Sequence, residues 1–163
     1  MKIPRFDNAN ILTIGDAMLD RYWHGETHRV SAEAPIPVID VGSIEDRPGG
    51  AANVALNVAT LGAASSLIAA TGRDEMSDIL ESKLSSSGID CQFIKVEGMS
   101  TITKVRLVSR SQQMIRADFE ALFNIDVDQV LKGMDLVPEY DSVVLSDYDK
   151  GLFSDPSSII ENA

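Results

Sequence analysis

The sequence predicts an α/β fold, because short apolar runs that suit buried strands alternate with segments that suit helices. Residues 11–14 form one such run, and Gly15-Asp16 follows it directly, as expected where a buried strand opens into a loop at its carboxyl end. Residues 67–70 and 142–145 form two further runs of this kind. Three strands with helices between them favour a parallel sheet that is covered on both faces.

Helices are predicted after the first and second of these strands and before the third. Residues 51–61 are rich in alanine and follow Gly49-Gly50, a pattern typical of a helix that is entered through glycine. Asp74 is a good N-cap for a second helix with one apolar face. Residues 125–134 predict a third helix.

Residues 22–45 and 91–120 predict a group of strands inserted in this core, which we interpret as a lid. Pro35 and Pro37 favour an edge or a turn over a central strand. A polar turn near residues 109–111 joins the last two strands. We therefore expect an antiparallel lid, with strands at residues 25–30, 37–44, 91–96, 101–108 and 114–119.

The chain of 163 residues has room for one domain with a core of its own. Asp155-Pro156 predicts the start of a last helix, because an N-cap residue is followed by proline at the first helical position. Three central strands are fewer than a sheet usually contains. We interpret residues 1–163 as the amino-terminal part of one domain, truncated after roughly its first half.

Charge and composition exclude several classes of partner. Fourteen Lys and Arg residues against 25 Asp and Glu residues give a net charge of −11, which disfavours nucleic acid and anionic lipid. No apolar run reaches the roughly 20 residues that span a bilayer, and the first residues lack the apolar stretch of a signal peptide. Cys91 is the single cysteine, so an internal disulfide is excluded. We expect a cytoplasmic protein without a metal site.

Gly49, Gly50 and Asn53 are candidates for binding a polyol. Two glycines let a ligand approach the backbone closely, and an amide in the first helical turn can donate to and accept from hydroxyl groups. Asn57 lies four residues later, on the same helical face. The alternative is a tight turn before a helix that only packs. Asp16 is a further candidate, because ligands of open α/β sheets bind beyond the carboxyl ends of the strands. Its alternative role is a helix N-cap.

Lys104 and Arg106 are candidates for binding a phosphate group. They alternate onto one face of a predicted strand in a strongly acidic chain, and ammonium and guanidinium groups bind phosphate well. The alternative is a solvated strand face whose charges prevent edge pairing. For Arg110 and Arg116, which are further candidates, the solvated face is the favoured interpretation.

Four residues at the start of the lid region have simpler interpretations. A loop ion pair explains Asp20 and Arg21 as well as a ligand would. Tyr22 and Trp23 are interpreted as packing residues of the lid rather than as a stacking surface for bases.

Taken together, these residues resemble the PfkB family of ribokinase-type carbohydrate kinases. Segments 15–23, 31–35, 101–106 and 145–151 are similar to the bacterial branch that acts on heptose 7-phosphate, so the resemblance covers essentially the whole chain. The residues that match the spacing of the family's first signature are Gly49, Gly50, Asn53, Ala55, Gly62 and Gly72.

The resemblance implies a ribokinase-like, three-layer α/β/α fold with a β-strand lid, of which this chain holds the first half. It also implies an ATP- and Mg²⁺-dependent kinase that phosphorylates D-glycero-β-D-manno-heptose 7-phosphate at O1, on the route to ADP-heptose and lipopolysaccharide. Such kinases form homodimers through the lid strands. In this family the residue at Asp16 holds sugar hydroxyls, and Asp147 and Lys150 lie near the phosphate-transfer region, where a loop salt bridge is their alternative role.

The resemblance further implies that no catalytic residue is in this chain. The family's catalytic base is the Asp of a Gly-Ala-Gly-Asp motif, and this sequence lacks that motif. We therefore expect the chain alone to be inactive and to bind ATP and Mg²⁺ only weakly. The alternatives are another PfkB kinase for a different sugar or a nucleoside, and a sugar-binding module without catalysis.

Overall fold

The computed structural model describes residues 6–120, 122–137, 139–153 and 156–162. Its strands are β1 (Asn10–Gly15), β2 (Ala17–Val30), β3 (Pro37–Gly50), β4 (Ala64–Gly72), β5 (Asp90–Val96), β6 (Thr103–Ser109), β7 (Gln112–Phe119) and β8 (Ser142–Ser146). Its helices are α1 (Ala51–Thr60), α2 (Glu75–Ser86), α3 (Val127–Asp135) and α4 (Pro156–Asn162). The predicted N-cap Asp155 lies outside the described residues.

The central sheet is parallel throughout, with the strand order β5-β4-β1-β8. Successive residues of β4 face opposite sides of this sheet, as the pleat of a strand requires. Leu67 and Ala69 pack with α1 and α2, whereas Ile68 and Ala70 belong to the cluster that includes α3 and α4. Since both sides are covered by helices, the predicted three-layer α/β/α class is confirmed.

One strand of the central sheet was assigned to the lid by the sequence, and that prediction is wrong. Residues 91–96 lie in β5, which pairs in parallel with β4. The crossover through α2 returns the chain to the same sheet beside β4, as a strand-helix-strand unit normally does. The described central sheet therefore has four strands instead of the three that we counted from the sequence.

The lid is a second four-stranded sheet, with the order β3-β2-β6-β7. Its β2 and β3 are antiparallel strands of 14 residues each, much longer than residues 25–30 and 37–44. The pairing of β2 with β6 is parallel, so the expectation of an antiparallel lid is wrong at this pair. The sequence did not predict the full length of β3, because Asp46, Arg47 and Pro48 near its end do not favour strands.

Asp74 joins the lid to the central sheet. Its carboxylate accepts a hydrogen bond from the backbone N–H of Ser77 at 2.9 Å, and so caps α2. It also accepts from the backbone N–H and the hydroxyl of Thr101, at 2.8 and 2.7 Å, just before β6 begins. Burial opposes ionisation of Asp74, but these hydrogen bonds outweigh it and hold its pKa below the ordinary value.

We expect Asp74→Ala to lower the free energy of unfolding by about 1–3 kcal/mol at neutral pH, because a cap and two lid contacts are lost together. Because the folded-state pKa of Asp74 is lowered, its contribution is present above the unfolded-state pKa and is lost as the pH falls through the folded-state value, below about pH 4. Urea unfolding at neutral pH and near pH 3 measures both effects. Asp78→Ala, an exposed carboxylate on the same helix, is the control, and equal losses in both variants would contradict the assignment.

Candidate functional site

A cleft of about 760 Å³ lies between one face of the lid and the amino end of α1. Gly49, Gly50 and Asn53 line it, together with Lys104 and Arg106 of β6. The structure therefore brings together five of the seven residues that the sequence offers as substrate ligands. Asn57 is exposed one turn further along α1 and is not among the residues that line the cleft.

The two glycines are required by the close approach of β2 and β3. Gly50 has φ 57° and ψ −134°, a conformation that residues with a side chain rarely adopt. A Cβ atom at Gly50 would collide with the backbone oxygen of Asp16, and one at Gly49 would lie 2.6 Å from Asp20 Oδ2. No side chain caps α1. The N–H of Ala51 donates to the backbone oxygen of Asp16, and the other N–H groups of the first turn lack a side-chain cap and can donate to solvent or a ligand.

Asp16 lies beneath the cleft and connects its parts. The residue is 3% exposed, and its Oδ2 accepts hydrogen bonds from the backbone N–H groups of Tyr148, at 2.8 Å, and Lys150, at 3.1 Å. Its backbone oxygen accepts from Ala51 N–H at the start of α1. Asp16 is therefore no helix N-cap, and its role as a sugar ligand stays a prediction.

The face of the lid that borders the cleft carries rows of charged residues. Residues directly opposite one another on paired strands point to the same face. Read from β3 to β7, the two rows are Arg47, Asp20, Lys104 and Asp118, and then Glu45, Tyr22, Arg106 and Arg116. Charges alternate along the first row. In the second row two arginines are neighbours, which destabilises the lid unless an anion lies nearby.

Lys104 and Arg106 both have carboxylate partners. Arg106 Nη1 lies 2.5 Å from Asp20 Oδ1, and Lys104 Nζ lies 3.2 Å from Asp118 Oδ2 and 3.0 Å from Glu120 Oε1. Burial lowers the pKa of Lys104, but the hydrogen bonds to Glu120 and Asp118 together raise it by more. The pKa of Lys104 is therefore above the ordinary value. Lys104 therefore remains charged, and a phosphate must compete with two carboxylates for it.

The two weaker candidates, Asp147 and Lys150, lie in the loop after β8 and contact different partners. Lys150 Nζ pairs with Glu120 Oε2 at 3.0 Å, the same carboxylate that Lys104 contacts. Asp147 is exposed, and its Oδ1 accepts from the backbone N–H of Asp149 at 2.8 Å. Both contacts are those of a loop salt bridge and a turn, and a role at the nucleotide phosphates stays a prediction. Tyr148, between them, lines the cleft.

Sequence reasoning missed Arg47, which lines the cleft and lies opposite Asp20 in the lid. Counting back in steps of two from Gly49 would have placed Arg47 on the same face of a strand, but the strand was predicted to end near residue 44. Tyr22 was interpreted as packing. Its ring instead lies against two guanidinium groups, those of Arg47 and Arg106.

Within the part of the chain that the structure describes, no group of three His, Cys, Asp or Glu side chains could hold a metal ion. The described helices also include none with the length and apolar character needed to span a bilayer.

A parallel sheet with helices on both faces and a polar cleft beside its lid places the chain among the α/β proteins, whose ligands generally bind beyond the carboxyl ends of the strands. The model of the pfkB family carbohydrate kinases matches residues 8–159, and the chain belongs to this family. The family resemblance of the sequence is thereby confirmed.

Relatives of known name match the chain from end to end. It is 48% identical over 164 residues to the bifunctional protein HldE of Pseudomonas paraeruginosa, covering 100% of this chain and 35% of that protein. It is 49% identical to the protein of the same name in Aeromonas hydrophila, covering 99% and 34%. The chain thus spans about a third of the length of these relatives.

Solved structures show the same fold. A carbohydrate kinase from Agrobacterium tumefaciens aligns with a TM-score of 0.67 at 20% identity, covering 84% of this chain and 45% of that one. An uncharacterized sugar kinase from Pyrococcus horikoshii, solved in complex with ATP, aligns with a TM-score of 0.59 at 27% identity, covering 83% and 42%. The ribokinase-like architecture is therefore shared, and each alignment covers less than half of the other chain.

We expect Gly50→Ala to destabilise the chain by about 1–3 kcal/mol or more, because it adds a collision with the Asp16 backbone to an unfavourable dihedral angle. Gly88→Ala is the matched control, since Gly88 also has a positive φ, of 77°, but has no atom within 4 Å of a Cβ placed there. That variant measures backbone strain alone, at about 1–2 kcal/mol. Thermal or urea unfolding compares the two, and equal losses would show that the collision is absent.

Proposed function

We propose that this chain is the sugar-binding half of an ATP-dependent kinase that phosphorylates D-glycero-β-D-manno-heptose 7-phosphate at O1. One observation carries the proposal: the cleft beside Gly49, Gly50 and Asn53 is cationic in a chain of net charge −11. Its charged lining consists of the cations Arg47, Lys83, Lys104, Arg106 and Arg116 and the carboxylate of Asp20, since Asp46, which also borders the cleft, pairs its carboxylate with Arg21 on the other face of the lid. Such a cleft suits a sugar that already carries a phosphate group.

The polar groups near α1 suit the hydroxyls of a sugar. Asn53 offers an amide with two donors and an acceptor, and the uncapped first turn of α1 offers N–H groups. Gly49 and Gly50 let β2 and β3 approach closely, which brings Asp20 beside the start of α1. The carboxylate of Asp20, on the lid, lies at the same cleft. We propose that these groups orient the sugar while the lid excludes water from the reacting hydroxyl.

ATP and Mg²⁺ are the proposed cofactors of the complete kinase, and the described residues do not form a metal site for them. The Gly-Ala-Gly-Asp sequence that supplies the base in the family does not occur in this chain. We therefore propose that base, nucleotide site and metal are supplied by a further part of the protein, and that the chain alone is inactive. Because the reaction draws on ATP, we place the protein in the cytoplasm.

The test is a kinase assay with heptose 7-phosphate and ATP, using the full-length gene product and the 163-residue chain side by side. The first should form the 1,7-bisphosphate and the second should not. Asn53→Ala should raise the KM for the sugar about tenfold or more with the KM for ATP little changed, because a hydroxyl loses its partner. Asn57→Ala, outside the cleft lining, is the comparison. Turnover by the short chain, or equal sugar KM values in both variants, would contradict the proposal.

We further propose that two copies of this chain pair through the other face of the lid. That face has an apolar pocket of about 350 Å³ lined by Trp23, Val105, Leu107 and Phe119 among others. Phe119 is 58% exposed, and Trp23 Nε1 is buried without an acceptor among the described residues. An apolar surface of this kind is usually covered by a partner.

Phe119→Asp should convert a dimer to a monomer, because the interface would bury an unpaired charge. Light scattering at micromolar concentration measures the mass in solution. Leu122→Asp is the control, since Leu122 is 72% exposed and is not among the residues that line this pocket. A wild-type chain that is monomeric at every concentration would exclude pairing through the lid.

A further inference from the structure

Two guanidinium groups lie over one aromatic ring at the edge of the cleft. The Cζ atom of Arg47 is 4.5 Å from the centroid of the Tyr22 ring, and that of Arg106 is 5.2 Å from it. Both distances are within the range of an attractive cation–π contact. The two arginines come from different strands, β3 and β6, on either side of β2. The ring of Tyr22 therefore lies against both guanidinium groups.

Stacking leaves these arginines able to bind an anion. A guanidinium group that lies over a ring uses its flat face, while its five N–H donors project in its own plane. Asp20 contacts Nη1 of Arg106, and Glu45 contacts Nε and Nη2 of Arg47. Neither carboxylate can occupy all five donors.

The ion pair of Arg47 is the weaker competitor for a phosphate group. Arg47 and Glu45 are 54% and 47% exposed, and exposed pairs contribute only about 0–1 kcal/mol. His24 Nε2 lies 3.4 Å from Glu45, so Glu45 keeps a neighbour when Arg47 moves. Lys104, in contrast, is 17% exposed and shared by two carboxylates. An incoming phosphate therefore has to break a weaker ion pair at Arg47 than at Lys104.

We propose that Arg47 and Arg106 bind the phosphate of a phosphorylated sugar, and that Tyr22 is the positioning residue that holds both guanidinium groups. The ligand class is a phosphomonoester on a polyol, whose oxygens accept bidentate hydrogen bonds from arginine. Lys104, on the same face of the lid, adds positive charge to the cleft. This inference rests on the proposed function, because it assigns the residues that select a phosphorylated substrate at the same cleft.

The experiment compares binding of heptose 7-phosphate with binding of the same heptose without phosphate, by calorimetry on the full-length gene product. Arg47→Gln and Tyr22→Leu should each reduce the preference for the phosphorylated sugar about tenfold or more. Tyr22→Phe, which keeps the ring, should restore the preference that Tyr22→Leu loses. Arg73→Gln is the matched control, since Arg73 is also exposed and paired with a glutamate at 2.7 Å, and lies outside the cleft lining.

A second measurement separates this inference from the kinase assignment. Inorganic phosphate is titrated into the 163-residue chain while the Nε–H signals of its arginines are followed by NMR. Shifts at Arg47 and Arg106 that vanish in Tyr22→Leu support the inference whatever sugar the enzyme uses. Phosphorylation of heptose 7-phosphate with an unchanged preference in Arg47→Gln would overturn the inference and leave the proposed function standing. Absence of phosphate binding at both arginines would overturn it as well.

Discussion

The geometry of the cleft depends on Asp16, a buried residue whose backbone and side chain bond to two separate segments, the start of α1 and residues 146–150. Its N–H donates to Ser146 O at the end of β8, and its carbonyl accepts from Ala51 N–H at the start of α1. Its carboxylate accepts from two N–H groups of the loop after β8. Because buried polar groups must be hydrogen-bonded, moving these segments apart would leave buried backbone and carboxyl groups of Asp16 without partners. The floor of the cleft is therefore fixed by one residue.

The second constraint is the alternation of side chains in the lid. With a period of two, each strand offers one set of residues to the cleft and the other to the opposite face. On β2 this places Asp20 and Tyr22 on the charged face, and Arg21 and Trp23 on the apolar one. The charge of Arg21 is tolerated on the apolar face because Arg21 Nε pairs with Asp46 Oδ1 at 2.6 Å. A single sheet thus presents a polar, charged surface on one side and an apolar surface on the other.

The sequence was sufficient for the parts of the fold that depend on local pattern. Apolar runs closed by glycine predicted β1 and β4, and Gly49-Gly50 before an alanine-rich segment predicted both α1 and the cleft beside it. Strand order is not a local property, so residues 91–96 were placed in the wrong sheet. The contact of Tyr22 with arginines on β3 and β6 depends on the register of three strands, and no spacing along the chain contains that information.

The charges of the lid explain how an acidic protein keeps a cationic cleft. The lid cations that line the cleft, Arg47, Lys104, Arg106 and Arg116, each pair with a carboxylate, which holds them in place and limits their mutual repulsion. The carboxylates differ in how firmly they bind, from the exposed Glu45 to the two that share Lys104. A doubly charged phosphate replaces the most exposed partner at the least cost, because solvent already weakens that pair. The carboxylates of the lid therefore hold the cations of the cleft in place. In our proposal, an anion binds first at the cation whose carboxylate partner is displaced most easily, which is Arg47.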